Sequence, residues 1–253
     1  MQSAQKGGYK HYMLKEIFEQ PQAIANCMAG RVDMSRLEVS IPELRGRKIP
    51  SRLRIVACGT SYHAGLWAMP LFEQWAGIPC AVEIASEFRY RNPLLLPDEA
   101  VLLISQSRET ADTLAALRIA REKGCPALGL CNVVGSSIAR ETDTVIYTQA
   151  GPEISVASTK ALATQMAALM LMALHWGREN NRLEPETAGL ALRGLAALPS
   201  RMESILPSLR SEANTLALRY ASCKGMFFLG RGQSYPLAME GALKVKELAY
   251  IHA

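Results

Sequence analysis

Between about residues 50 and 180, five short apolar runs alternate with longer helical patterns. Leu53 to Ala57, Cys80 to Ile84, Val101 to Ile104, Leu128 to Cys131 and Thr144 to Tyr147 read as strands. The stretches from about Tyr62 to Trp75, Thr110 to Lys123 and Ser158 to Trp176 read as helices. Strands spaced this way by helices form βαβ crossovers, and crossovers of that kind demand a parallel sheet. The strand runs are largely apolar, as expected when helices cover both faces. The expected fold is therefore α/β, a doubly wound parallel sheet flanked by helices. In such sheets ligands sit beyond the carboxyl ends of the strands. Two of those ends carry polar loops, Cys58-Gly59-Thr60-Ser61 and Ser105-Gln106-Ser107-Arg108-Glu109-Thr110.

The flanks read differently. Residues 1–49 form a helical segment and linker, with a helix over Tyr12 to Met28 that Pro21 breaks or kinks. Residues 181–224 hold two connecting helices, about Glu184 to Ala197 and Pro199 to Ala221. Residues 225–253 begin again with a strand, Gly225 to Leu229, a Gly-Arg-Gly-Gln-Ser-Tyr loop and a helix. A shift of 173 positions places Gly59 on Gly232, Ser61 on Ser234 and Tyr62 on Tyr235. Strand, Gly-x-Ser-Tyr loop and helix recur together, which suggests an internal duplication. One strand cannot form a sheet. The last segment is thus expected to be an incomplete second copy, truncated or completed by something else.

Composition narrows the function classes. The chain has 253 residues, 49% of them hydrophobic and 20% charged, a balance that suits a folded globular protein. The net charge of +5 is spread along the chain without a basic block, so nucleic acid is not an expected partner. The longest apolar stretch, Ala161 to Trp176, contains Thr164, Gln165 and His175 and falls short of the ~20 residues of a membrane span. It reads as a buried helix, and no membrane association is expected. Met1 to Tyr9 is polar, unlike a secretory leader. Six scattered cysteines form no CxxC pair and no zinc spacing. They read as reduced core residues of a cytoplasmic protein, with no metal and no cofactor.

The loop from Ser105 to Thr110 carries the strongest chemical signal. Hydroxyls at a strand end before a helix suit an anion, because the helix N-terminus presents free N–H groups. The plainer reading is that Ser107 caps the helix. Neither GxxxxGK[ST] nor GxGxxG occurs. Glu240, Lys244 and Glu247 share one face of the last helix, at spacings of four and three. A carboxylate beside an ammonium can serve as a general base. Taken alone, the pattern is more simply a solvated ion ladder. His63 could face the same site, although a structural or exposed role is the simpler expectation.

Several of these motifs together resemble one family. They are Ala57-Cys58-Gly59-Thr60-Ser61-Tyr62, Ser105-Gln106-Ser107-x-Glu109-Thr110-Ala111-Asp112-Thr113-Leu114, Asn132-x-x-Gly135-Ser136-Ser137, Val156-Ala157-Ser158-Thr159-Lys160 and Glu240-Gly241-Ala242-Leu243-Lys244-x-Lys246-Glu247. Lys15-Glu16-Ile17-x-Glu19-Gln20-Pro21 belongs with them. The chain is similar to the isomerase half of the glutamine:fructose-6-phosphate amidotransferases, or glucosamine-6-phosphate synthases, which is built of two sugar isomerase (SIS) domains.

The resemblance implies a SIS-type sheet and a sugar-phosphate ligand, fructose 6-phosphate or glucosamine 6-phosphate. Ser105, Gln106, Ser107 and Thr110 would hold the phosphate. Thr60, Ser61, Val156 and Ser158 would line the sugar. Glu247 would move a proton between C1 and C2 with Lys244 beside it, which overrides the ladder reading. It also implies a glutaminase domain as partner and a homodimer. Two residues depart from the family pattern: Arg108 and Ser155 each stand where glycine is usual. The glutaminase half, a ring-opening histidine and a Schiff-base lysine are not found between Met1 and Ala253. The expectation is a chain that binds sugar phosphate poorly or does not complete the synthase reaction. A non-catalytic sugar-phosphate-binding SIS module is the alternative, and a stand-alone isomerase of the same superfamily is a third reading.

Overall fold

A computed structural model describes residues 5–106 and 111–253. The chain opens on α1 (Tyr12–Met28), followed by a small antiparallel pair, β1 (Val32–Asp33) and β2 (Glu38–Val39). The alternating unit then runs β3 (Arg52–Ala57), α2 (Gly59–Leu71), β4 (Cys80–Ile84), α3 (Ala85–Tyr90), β5 (Glu99–Ser105), α4 (Ala111–Glu122), β6 (Ala127–Cys131), α5 (Ser137–Glu141), β7 (Thr144–Tyr147) and α6 (Lys160–Glu179). Two further helices follow, α7 (Pro185–Tyr220) and α8 (Ser234–Ala249).

The main sheet has the order β4-β3-β5-β6-β7, and every neighbouring pair is parallel. The chain leaves β3 toward β4 on one side and returns to β5 on the other. That reversal opens a crevice beyond the carboxyl ends of β3 and β5. β5 is buried along its whole length. Its side chains alternate between two cores. Leu102 and Ile104 join α1, α2, α6 and the start of α7, while Val101 and Leu103 join α3, α4 and α5. This is why the central strands β5 and β6 read as unbroken apolar runs.

Helix α2 lies close on the sheet because Gly65 has no side chain. A Cβ there would stand 2.9 Å from Ile55 Cγ2 and 3.0 Å from Val82 Cγ1. Helix α8 in turn packs on α2. The glycine that opens each helix segment has a left-handed backbone, φ +53° at Gly59 and φ +59° at Gly232. That conformation costs a residue with a Cβ about 1–2 kcal/mol.

Several expectations need correction. The two helices expected between Glu184 and Ala221 are one 36-residue helix, Pro185–Tyr220. Pro199 and Pro207 each remove one backbone donor, but the surrounding turns keep theirs and the helix continues. Likewise Pro21 lies inside an unbroken α1. The expected strand from Gly225 to Leu229 is not a strand. It makes one bridge, Gly225 to His252, with Met226 N–H donating to His252 O at 2.8 Å. A strand exists only against a neighbour, and Phe227 and Leu229 are 98% and 91% exposed. The short helices α3 and α5 and the β1–β2 pair had no sequence counterpart. The six cysteines are free thiols. Burial pushes Cys27 up to about 11 and Cys80 up to about 12. Among the described residues no helix is long and apolar enough to cross a membrane.

Candidate functional site

A cavity of about 200 Å³ lies in the crevice between the ends of β3 and β5. Thr113 of α4 lines it, and eight further lining residues come from four other parts of the chain. Thr60 and Ser61 come from the first turn of α2, and Ser105 and Gln106 from the end of β5. Val156 and Ser158 come from the connection between β7 and α6, and Lys244 and Glu247 from α8. All eight were singled out from sequence. Ser107 and Thr110, and Arg108 between them, lie outside the described residues.

The strand-end side is rich in hydroxyls. Ser61 Oγ accepts from Gln165 Nε2 at 3.0 Å. Ser158 Oγ is buried without a hydrogen-bond partner among the described residues. Gln106 Nε2 donates to Glu153 Oε2. The other oxygen of Glu153 accepts from the backbone N–H of Thr159 at 2.8 Å and of Ala161 at 3.2 Å. Glu153 thus caps α6 from outside the helix, where its dipole favours an anion, and fixes the Gln106 amide at the cavity.

The opposite wall is a charged network on α8. The Lys244 ammonium lies 2.8 Å from Glu247 Oε2, 3.2 Å from Glu240 Oε1 and 3.2 Å from Thr60 Oγ1. An ammonium has three N–H donors, so three acceptors fix its position. Thr60 Oγ1 also lies 2.9 Å from Glu240 Oε1, and His63 Nδ1 lies 2.7 Å from Glu240 Oε2. His63 and Glu240 are both buried. Burial alone would raise the Glu240 carboxyl, but His63, Lys244 and Thr60 outweigh it and hold the group below the ordinary glutamate range.

The last-helix face is therefore no solvated ladder. Its Glu240 end is sealed against α2, and its Glu247 end, 35% exposed, borders the cavity. A carboxylate there, beside an ammonium held in place, has the composition of a general acid–base pair. Sequence reasoning placed Glu240 on this face without giving it a role, although its spacing of four from Lys244 was the available signal. It gave His63 no specific partner. Glu153 carried no local signal, because its partners lie across a loop.

A SIS-domain sequence profile matches residues 48–175. The chain is 46% identical over 257 residues to a glutamine–fructose-6-phosphate aminotransferase [isomerizing] of Chlorobaculum tepidum, a match covering 100% of this chain and 42% of that relative. It is 47% identical to the protein of the same name from Vibrio parahaemolyticus, over 98% of this chain and 41% of the relative. The chain thus spans less than half the length of these relatives. Among solved structures, the C-terminal domain of glucosamine-fructose-6-phosphate aminotransferase from Francisella tularensis superposes with a TM-score of 0.93 at 41% identity, over 99% of this chain and 70% of that one. Tagatose-6-phosphate ketose/aldose isomerase from Escherichia coli shares the fold at a TM-score of 0.71 and 23% identity, over 95% of this chain and 65% of that one.

Proposed function

The chain belongs to the SIS-domain family, and on that premise we propose that it is the sugar-phosphate-binding isomerase portion of a glutamine–fructose-6-phosphate aminotransferase. The observation that carries this is one cavity bordered by strand-end hydroxyls and by the Lys244–Glu247 pair. The phosphate of fructose 6-phosphate sits at Ser105, Gln106, Ser107 and Thr110. Thr60, Ser61, Val156 and Ser158 line the sugar. Glu247 takes a proton from C1 and returns one at C2, and Lys244 stabilises the negative charge that develops between those steps. Ammonia comes from glutamine through a separate glutaminase domain, as the names of the relatives imply. Residues 50–180 act as one SIS unit, and residues 225–253 as the start of a second copy. The paired left-handed glycines Gly59 and Gly232 support that duplication.

The protein is cytoplasmic, in keeping with its free thiols. It works as a homodimer, in keeping with exposed Phe227, Leu229, Leu237 and Leu248.

Calorimetric titration with fructose 6-phosphate and glucosamine 6-phosphate tests the reading. Saturable binding of both is expected, with inorganic phosphate binding more weakly. Absence of any saturable binding overturns it. Incubation with fructose 6-phosphate and ammonia in deuterium oxide then separates an isomerase from a non-catalytic binding module. Deuterium entering C1 marks the former.

A further inference from the structure

Glu16 is 2% exposed, yet none of the ion pairs among the described residues includes it. Burying a carboxylate is costly unless hydrogen bonds replace its water. Here three replacement bonds come from the cavity wall, 138 and 139 positions away in sequence. Oε1 accepts from the backbone N–H of Ile154 at 2.6 Å and of Ser155 at 3.2 Å, and Oε2 accepts from the Ser155 hydroxyl. Glu19, one turn further along α1, does the ordinary thing and pairs with a cation, Lys160, at 2.7 Å.

The geometry points to Glu16 as a positioning residue that holds, from α1, the loop carrying Val156 and Ser158 into the cavity; this rests on the sugar-phosphate reading of that cavity. The loop between β7 and α6 has no regular structure of its own. It is pinned at two points, by Glu16 at Ile154 and Ser155 and by Glu153 at Thr159 and Ala161. Between the pins lies Ser158, whose hydroxyl is buried and unpartnered among the described residues. Ser155, where the family resemblance has glycine, strengthens the Glu16 pin. Its hydroxyl reaches Glu16 and also lies 2.8 Å from Ala157 O.

The test compares the protein with Glu16→Ala, Glu16→Gln and Ser155→Gly. In the ligand-free protein, backbone amide exchange is measured over residues 154–159 and over β5 and β6. In Glu16→Ala the loop amides should exchange at least about tenfold faster, with the strands unchanged, and the Kd for fructose 6-phosphate should rise about tenfold. Glutamine keeps an acceptor for both N–H groups, so Glu16→Gln should recover most of both effects, as a merely bulky core residue would not. Ser155→Gly should fall between wild type and Glu16→Ala, and it keeps the test open if Glu16→Ala does not fold. Unchanged loop exchange overturns the pin and leaves the sugar-phosphate reading standing. Faster exchange with unchanged affinity overturns the positioning role. A wild-type protein that binds no fructose 6-phosphate overturns the sugar-phosphate reading and the positioning role with it, whatever the exchange shows.

Discussion

The imidazole Nδ1 of His63 stands 2.7 Å from Oε2 of Glu240, joining the first turns of α2 to the middle of α8. Through the other oxygen of the same carboxylate, α2 also reaches Lys244, 3.2 Å away. The position of the cavity's ammonium is therefore set in part by a buried contact outside the cavity. Glu240→Gln removes the charge from this contact and should cost about 1–3 kcal/mol in urea unfolding, the range for orphaning buried partners. An unchanged midpoint would contradict it.

The same group gives a pH dependence with a definite sign. The folded Glu240 carboxyl lies below its ordinary value. It therefore binds a proton less readily folded than unfolded, and it stabilises the fold at neutral pH. That contribution starts to fade as pH falls toward about 4.3, the ordinary glutamate value, and is gone below the lowered folded value. Urea midpoints measured from pH 7 to pH 3 should fall more steeply for wild type than for Glu240→Gln. Parallel curves would show that Glu240 is not the group responsible.

Glu247→Gln should separate binding from chemistry. Glutamine keeps the shape of the side chain but cannot take a proton. In the protein carrying the proposed glutaminase unit, deuterium incorporation at C1 of fructose 6-phosphate should drop about 10²–10⁴-fold, the usual value of a positioned acid–base group. The Kd for the sugar phosphate should stay nearly constant. A matching loss of affinity would make Glu247 a binding residue instead.

Ser158→Ala distinguishes a ligand-facing hydroxyl from a structural one. Its Oγ has no partner among the described residues to lose. Thermal stability should thus be unchanged or slightly higher, while fructose 6-phosphate affinity falls about tenfold, the equivalent of one lost hydrogen bond of ~1.4 kcal/mol. A large loss of stability would show that the hydroxyl is structural.

Two Gly→Ala substitutions should act in opposite directions. At Gly65 the new methyl meets Ile55 and Val82 at 2.9 and 3.0 Å, so α2 must lift from the sheet. A loss of about 1–3 kcal/mol is expected, as for other overpacked cores. Gly194 lies inside α7 with nothing within 4 Å of a built Cβ. Gly194→Ala should gain about 0.5–1 kcal/mol from helix propensity. Chemical denaturation of both variants checks the signs together.

Much of the fold was legible because it depends on local pattern. Continuous apolar runs such as Val101 to Ile104 announced strands covered on both faces, and the small polar ends at Cys58 and Ser105 announced the crevice. The misreadings arose where locality fails. Pro199 looked like a helix boundary, yet one missing donor did not outweigh the turns on either side. Met226 to Leu229 looked like a strand, yet strand formation needs a hydrogen-bonding neighbour that no local sequence supplies. On the α8 face, the i, i+4 spacing showed that Glu240 and Lys244 meet, but not whether water surrounds them.

The sequence by itself determined the α/β class and the order of the five sheet strands with α2, α4 and α6 among them, because backbone hydrogen bonding and hydrophobic periodicity act within a few residues. It also determined which polar residues stand at strand ends. Only the tertiary structure decided that Glu240 meets His63, 177 positions away, and that Glu16 meets Ser155, 139 positions away. Those pairings follow from how α8 settles on α2 and how α1 settles beside α6. A carboxylate is a solvated surface charge or a buried anchor according to what packing brings beside it, and the burial of Glu16 and Glu240 was fixed at that step.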